Sequence, residues 1–391
     1  MREATIGSLP RPRAFLVAAL AALVALTALV AAPGDAEAKK KGKTVPVKLM
    51  TRNIFLGADL SPALNANNAQ QFVRANGAIL REVDRTDFPR RALGLAQEIG
   101  QKKPDLIGLQ EAAWWRTNPV PGAPQQGPDG QFTATTDKYN FLQILLDALA
   151  ANGMNYEVAV EKTEFDFEAP ADYDDDPSTG LAGGEIQGRL TMRDVILVNQ
   201  DSKVKAKLKN PQTGTYANLF TPVIAGIEVP VTRGWTAGDV TVKKGKGKKQ
   251  VKRKFRFVNT HFEAFDDETQ RPSIRALQAT EVVNGPASKN RTIMLGDFNS
   301  YVPGVQPGDE QAYQVILDAG FKQRATSNPL SCCVSNLFTS PVTEFDHQVD
   351  NIVSNMGKKA KLASSTVTGL TQVNGIYDSD HAGLFSKLKL K

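Results

Sequence analysis

The sequence is poor in the two side chains that most often build transition-metal sites: it holds 3 histidines and 2 cysteines in 391 residues. A His-rich metal centre is thereby excluded, and no C-x-x-C or zinc-finger spacing occurs. The cysteines are neighbours, Cys332 and Cys333, so no disulfide framework can form. A vicinal disulfide is one reading of the pair, since thiols of exported proteins oxidise; two small residues in a loop is the other. Internal repeats are absent, and low complexity is confined to lysine runs. Charge of neither sign dominates, because 47 Lys and Arg against 41 Asp and Glu leave +6. With 41% hydrophobic and 23% charged residues the composition is that of a soluble globular protein. The length admits one large α/β domain or two smaller ones.

Arg2, Arg11 and Arg13 precede an apolar run from Ala14 to Ala32, and Ala36-Glu37-Ala38 then offers a small-residue cleavage site. That order predicts a secretory signal peptide over 1–38, hence a secreted protein. An uncleaved membrane anchor is the competing reading, because a run of this length almost spans a bilayer. A basic linker, 39–46, follows. Many strands with interspersed helices and no long linker predict one α/β domain over 47–391.

Within that domain, 58–80 is polar and Asn-rich and reads as exposed loop and helix. Leu93, Ala96 and Ile99 have helical spacing and predict an amphipathic helix over 88–105, ended by Pro104. Residues 105–112 read as a buried strand, the Pro/Gly-rich 118–131 as loop, and 138–153 as a helix closed by Gly153. YEVAVE reads as a strand and 164–185 as an acidic surface insertion. Val195 to Val198 predict a strand buried on both faces. Two β-rich arms around a Gly/Lys loop predict a hairpin over 239–265. Residues 243–254 at its tip hold eight Lys or Arg. The tip either solubilises the hairpin or contacts a phosphate backbone or other anionic surface.

Several apolar strands end on polar residues that a loop would not need. They are Asn53 in KLMTRNIFLG, Glu111 in DLIGLQEA, Asn259 and His261 in FRFVNTHFEAF, and Asp297 and Asn299 in IMLGDFNS. Asp350 in HQVDNIVSN and the pair Asp380-His381 complete the set. Ligands of α/β sheets collect at strand ends. If these ends converge, the site is rich in carboxylate and amide oxygen and poor in nitrogen, which suits Mg²⁺, with Mn²⁺ or Ca²⁺ as alternatives, and not zinc. Crowded carboxylates repel one another without a cation, and such a cation in turn points to a phosphate-type substrate.

In chain order, NIFLG, GLQEA, NTHFE, GDFNS, QVDNI and SDH resemble the endonuclease/exonuclease/phosphatase superfamily, the DNase I-like fold, from about Val47 to Leu390. The resemblance implies a four-layer α/β sandwich of two packed mixed β-sheets flanked by helices. It further implies a hydrolase acting on phosphate esters with a divalent metal, usually magnesium. Residue by residue, Glu111 looks like the metal-ligating carboxylate, with Asn53 beside it and Asp380 as the acidic partner near the metal. Asp297 resembles the aspartate close to the attacking water, and Asn299 the amide that steadies water or phosphate. His381 looks like the histidine of the hydrolytic step, Asp350 like the carboxylate that orients it, and His261 like a second histidine on a phosphate oxygen. Arg233, Arg193 and Asn259 are further candidates for substrate phosphate.

The sequence departs from the deoxyribonuclease-type pattern two positions after Glu111, where Ala113 stands in place of arginine, followed by Trp114-Trp115. That puts groove-binding contacts in doubt. The tryptophan pair reads either as an apolar contact for lipid or nucleobase or as packing. His347 reads as a structural neighbour of Asp350. A secreted phosphodiesterase or nuclease is the expected function. A sphingomyelinase-like phospholipid-headgroup or inositol-phosphate hydrolase is the alternative, and a binding module without turnover a second one. Nucleic acid is the expected partner of the basic hairpin; no stable protein partner is expected, and the chain is read as a monomer.

Overall fold

The computed structural model describes residues 43–118, 131–176, 186–265, 270–304, 308–326 and 330–391. The expected signal peptide, the linker up to residue 42, the loop over 119–130 and the acidic segment 177–185 lie outside them. Among the described residues no helix is long and apolar enough to cross a membrane.

Two sheets form the centre. The first orders β15 (Ala360–Thr368), β16 (Gly383–Leu390), β1 (Val45–Asn53), β2 (Leu106–Gln110), β6 (Ile186–Asn199), β3 (Trp114–Asn118) and β4 (Thr136–Asn140), with β5 (Tyr156–Ala171) paired to β6. The second orders β13 (Lys322–Gln323), β14 (Asp350–Ser354), β12 (Thr292–Asp297), β11 (Val251–His261), β10 (Gly234–Lys244) and β7 (Lys207–Thr215). A small separate hairpin joins β8 (Val223–Ile224) to β9 (Ile227–Glu228). The pairs β1–β2 and β11–β12 are parallel and their neighbours antiparallel, so both sheets are mixed. Leu49, Ile196, Val240, Phe257, Leu295 and Leu384 belong to the core between the sheets. On the outer face of the first sheet pack α1 (Ser61–Leu64), α2 (Ala69–Arg85), α3 (Phe88–Lys102) and α4 (Phe141–Ala151). On that of the second pack α5 (Ile274–Asn284) and α6 (Gln311–Asp318). The four layers are those of the expected sandwich.

Some local expectations shift. β1 begins at Val45, two residues inside the expected linker, where Val45 and Pro46 pair with Leu390 and Lys389. The Asn-rich stretch is loop and helix and also supplies a cap: the Asn68 side chain accepts from the Gln71 N–H, and α2 buries Val73, Ile79, Leu80 and Val83. In α3 the buried stripe is Ala92, Leu95, Ala96 and Ile99, while Leu93 is 46% exposed. A period of 3.6 puts 92, 95, 96 and 99 on one face and leaves 93 at its edge. The first part of the expected acidic insertion is strand, because β5 continues to Ala171 against β6 and places Asp166 on Arg189.

Candidate functional site

One edge of the sandwich gathers the polar strand ends. In the second sheet His261 lies opposite Asp297, and Asp297 opposite Asp350, in direct register. In the first sheet Asn53 lies opposite Gln110, and Glu111 follows at once. Gly296 lets β12 approach β11 here: at its φ of 149° a Cβ would stand 1.8 Å from the Thr260 carbonyl oxygen. The two residues that turn the chain out of their strands, Glu111 and Asn299, have φ of 58° and 44°. Asparagine tolerates that left-handed region; glutamate does so rarely, so Glu111 is held there by its surroundings. The Leu56 N–H donates to Glu111 Oε2 at 2.8 Å and Asn53 Nδ2 to Oε1 at 3.0 Å.

Asn53 is the hinge of the site. Its Nδ2 also donates to Asp297 Oδ2 at 3.1 Å, and its Oδ1 accepts from the Phe55 N–H at 3.0 Å. Asp297 Oδ1 accepts from the Asn299 N–H at 2.9 Å. Asp297 Oδ2 lies 3.6 Å from His381 Nε2 and 3.7 Å from His261 Nε2. On its other side the His381 ring donates from Nδ1 to Asp350 Oδ2 at 2.9 Å, and Ser331 Oγ donates to the same oxygen at 2.7 Å. The neighbouring cysteines are joined in a disulfide, whose sulfurs lie 3.7 Å and 3.5 Å from His381 Nε2.

Burial and charge tune these groups. Burial pushes the Asp297 carboxyl up to about 6, against the charge of His381. Burial likewise raises Asp380 to about 6, and Glu111 adds to the rise. Burial alone would lower His381, but Asp350 and Asp297 outweigh it and hold the imidazole well above its ordinary value. His261 goes the other way: burial, then the charges of Arg233 and His381, hold it well below. Both ring nitrogens of His261 face donors, Arg233 Nη1 at 3.3 Å from Nδ1 and Asn299 Nδ2 at 3.1 Å from Nε2.

Two of the three expected phosphate contacts are placed away from the site. Asn259 is fully buried between the sheets and spends its amide there. Its Oδ1 accepts from Gln110 Nε2 at 2.6 Å, and its Nδ2 donates to Leu109 O and Thr236 Oγ1 at 3.1 Å and 3.2 Å. Gly108 makes room for it, since a Cβ there would stand 2.4 Å from Asn259 Oδ1. Arg193 is also occupied, on Ala112 O at 2.9 Å, Asn140 Oδ1 at 2.7 Å and Glu161 Oε1 at 3.2 Å, so it clamps the turn after Glu111. Arg233 does reach the site, beside His261, with Glu263 3.6 Å from its Nε. Of the tryptophans, Trp115 is packed, its Nε1 donating to Leu56 O at 2.7 Å. His347 turns to Asp346 rather than to Asp350.

Sequence reasoning missed the residues that hold the loops. Arg52 is fully buried and bonds Glu98, Asp378 and the carbonyls of Asn53 and His381. Arg91, also buried, bonds the carbonyls of Ile54, Phe55 and Asp378. Ser379 Oγ donates to Asn53 O at 2.9 Å. A charged residue inside an apolar strand, Arg52 in KLMTRNIFLG, was the available signal.

The donor set suits a hard divalent cation. Both Glu111 oxygens keep a lone pair after the hydrogen bonds above, Asp380 and Asp297 add oxygen, and the charges of Glu111 and Asp297 add to burial in raising Asp380, a repulsion that a cation would relieve. Asp297, Asp350 and His381 also lie close enough to share an ion. There the His381–Asp350 hydrogen bond takes Nδ1 and Oδ2, leaving His381 Nε2 and Asp350 Oδ1.

No family model matches the sequence, and no curated protein matches it. Solved structures do align with it. An endonuclease/exonuclease/phosphatase family protein from Bacteroides thetaiotaomicron aligns with a TM-score of 0.50 at 15% identity over 89% of this chain and 99% of its own. The human Nocturnin catalytic domain aligns at 0.47 and 14%, over 89% and 97%. A mannosyl-6-phosphatase from Bacteroides thetaiotaomicron aligns at 0.47 and 16%, over 88% and 99%. The fold assignment rests on the first of these: the chain has the DNase I-like architecture of an endonuclease/exonuclease/phosphatase protein.

Proposed function

We propose that the chain is a metal-assisted phosphohydrolase whose substrate is a phosphodiester, secreted by way of its N-terminal segment. The observation that carries the reading is Asp297 lying 3.6 Å from a histidine that Asp350 holds at 2.9 Å. Two proton sites of unlike pKa thereby face one space, as in-line attack by water on phosphorus requires. Asp297 takes one proton from the water, whose oxygen forms the new bond to phosphorus. One ester P–O bond breaks, and the leaving oxygen takes a proton from the His381 imidazolium. The products are an alcohol and a phosphate monoester. Asn299 and Arg233 donate to phosphate oxygens, with neutral His261 between them. A divalent cation held by Glu111 and Asp380, with Asn53 beside them, supplies neutralisation of the charge on those oxygens.

The basic hairpin supports the reading of nucleic acid as partner through its charge alone. His261 ends β11 at the site, and Lys252 lies nine residues back, roughly 30 Å along an extended strand. The test is a panel of plasmid DNA, RNA, sphingomyelin and bis-p-nitrophenyl phosphate with Mg²⁺ or Mn²⁺ and chelator controls. Cation-dependent release is expected, and His381→Ala should lose it by about 10²- to 10⁴-fold. Release from none of the four, or full activity in His381→Ala, refutes the proposal.

A further inference from the structure

A cavity of about 750 Å³ opens on the site, the size of a small-molecule pocket. Glu111, Arg233 and Asp380 form one part of its lining. Most of the rest of the wall is hydrocarbon and aromatic, with Phe72, Trp115, Phe165, Leu190, Val231 and Phe265, while Asp59, Asn76, Glu82, Arg85, Ser335 and Asn336 are polar residues of the lining. Against the apolar part of that wall a base edge or sugar hydroxyl finds no hydrogen-bond partner, at a desolvation cost. Apolar surface also continues outward: Ile224 lines the cavity, and its hairpin neighbours Val223 and Ile227 are 62% and 68% exposed. The hydrocarbon and the charged residues share one space.

We infer that one ester group of the substrate is hydrocarbon, an alkyl chain or fused apolar body, and that it occupies this cavity while its phosphate lies among Glu111, Arg233 and His381. The inference rests on the phosphodiesterase reading and names the substrate class. Each methylene transferred from water into such a wall favours binding by about fourfold.

The experiment compares methyl, butyl and octyl p-nitrophenyl phosphates with Mg²⁺, below their aggregation concentrations, beside a dithymidine phosphate. In the wild-type chain kcat/KM should climb several-fold per methylene. Ala169→Phe and Ala63→Phe each push a ring into the cavity and should cut the octyl-to-methyl ratio at least tenfold, with circular dichroism confirming the fold. Calorimetry with octyl phosphate gives a readout independent of turnover: binding expected in the wild-type chain, weakened in both variants. A wild-type octyl-to-methyl ratio near one, or preference for the dinucleotide, overturns the inference while hydrolysis stands. Octyl phosphate binding that the variants weaken, with no ester cleaved, upholds the cavity assignment and overturns the hydrolase reading.

Discussion

His381 sits between two carboxylates, and the division of labour between them fixes how the site should respond to pH. Asp297, pushed up to about 6, must be ionised to accept a proton, so the rate should rise as pH passes about 6. The imidazolium, held above its ordinary value by Asp350 and Asp297, must keep its proton, so the rate should fall once pH passes that raised value. The profile of kcat/KM for bis-p-nitrophenyl phosphate is therefore expected to be a bell, its limbs belonging to the coupled set. Asp350→Asn removes the largest charge that raises His381 and should move the alkaline limb toward lower pH; an unmoved limb would sink this assignment. Asn259 makes the opposite kind of prediction. Its buried amide joins the two sheets, so Asn259→Ala strands Gln110 Nε2 and Leu109 O. It should destabilise the fold by about 1–3 kcal/mol per group left unpaired, seen as a lower urea midpoint. A variant of unchanged midpoint would argue against the structural role. The sequence could not separate Asn259 from Asn53 or Asn299. All three end apolar strands, and only the facing sheet decides which amide is consumed inside.

Among the elements, β10 and β11 form one hairpin whose two ends differ in chemistry. Gly234 and His261 pair at the end nearest the site, while Lys243 and Lys252 pair near the tip. Replacing Lys246, Lys248, Lys249 and Lys252 by glutamine should flatten the salt dependence of nucleic-acid binding, by about 0.9 in the log–log slope for each phosphate no longer neutralised. Cleavage of bis-p-nitrophenyl phosphate should stay unchanged. An unaltered slope would leave the lysines a solubilising role. Strand existence was legible wherever apolar runs were dense, as in Val195–Val198 and Ile293–Leu295. The extent of β5 was not, because its acidic residues look solvated until β6 supplies Arg189 across the strand. The α3 stripe shows the same limit: Leu93 satisfies the spacing, but the sheet beneath selects the neighbouring face.

For the whole molecule, the four layers place buried acids where no counter-charge from the chain suffices. Asp297 and Asp380 both have folded pKa values raised to about 6 above their ordinary 3.8. A raised value means the protonated form is favoured on folding. Their share of stability is thus present below about 3.8 and is lost as pH rises through about 6. In chelator the chain should therefore lose stability across that window. Mg²⁺ should restore it at pH 8, by about 2.7 kcal/mol at a hundred times its dissociation constant, and do little at pH 5. Thermal melts with and without the cation check this; equal shifts at both pH values, or none, would contradict the cation site. The sequence by itself determined the strands, their polar ends and the oxygen-rich chemistry, because apolar runs and the side chains that interrupt them are local properties. Only the tertiary structure decided that Arg193 and Asn259 are consumed in support, and that a largely apolar wall borders the approach to Glu111. Those outcomes depend on which sheet edge and which facing side chain each residue meets, and contacts between residues dozens or hundreds of positions apart leave no trace in local pattern.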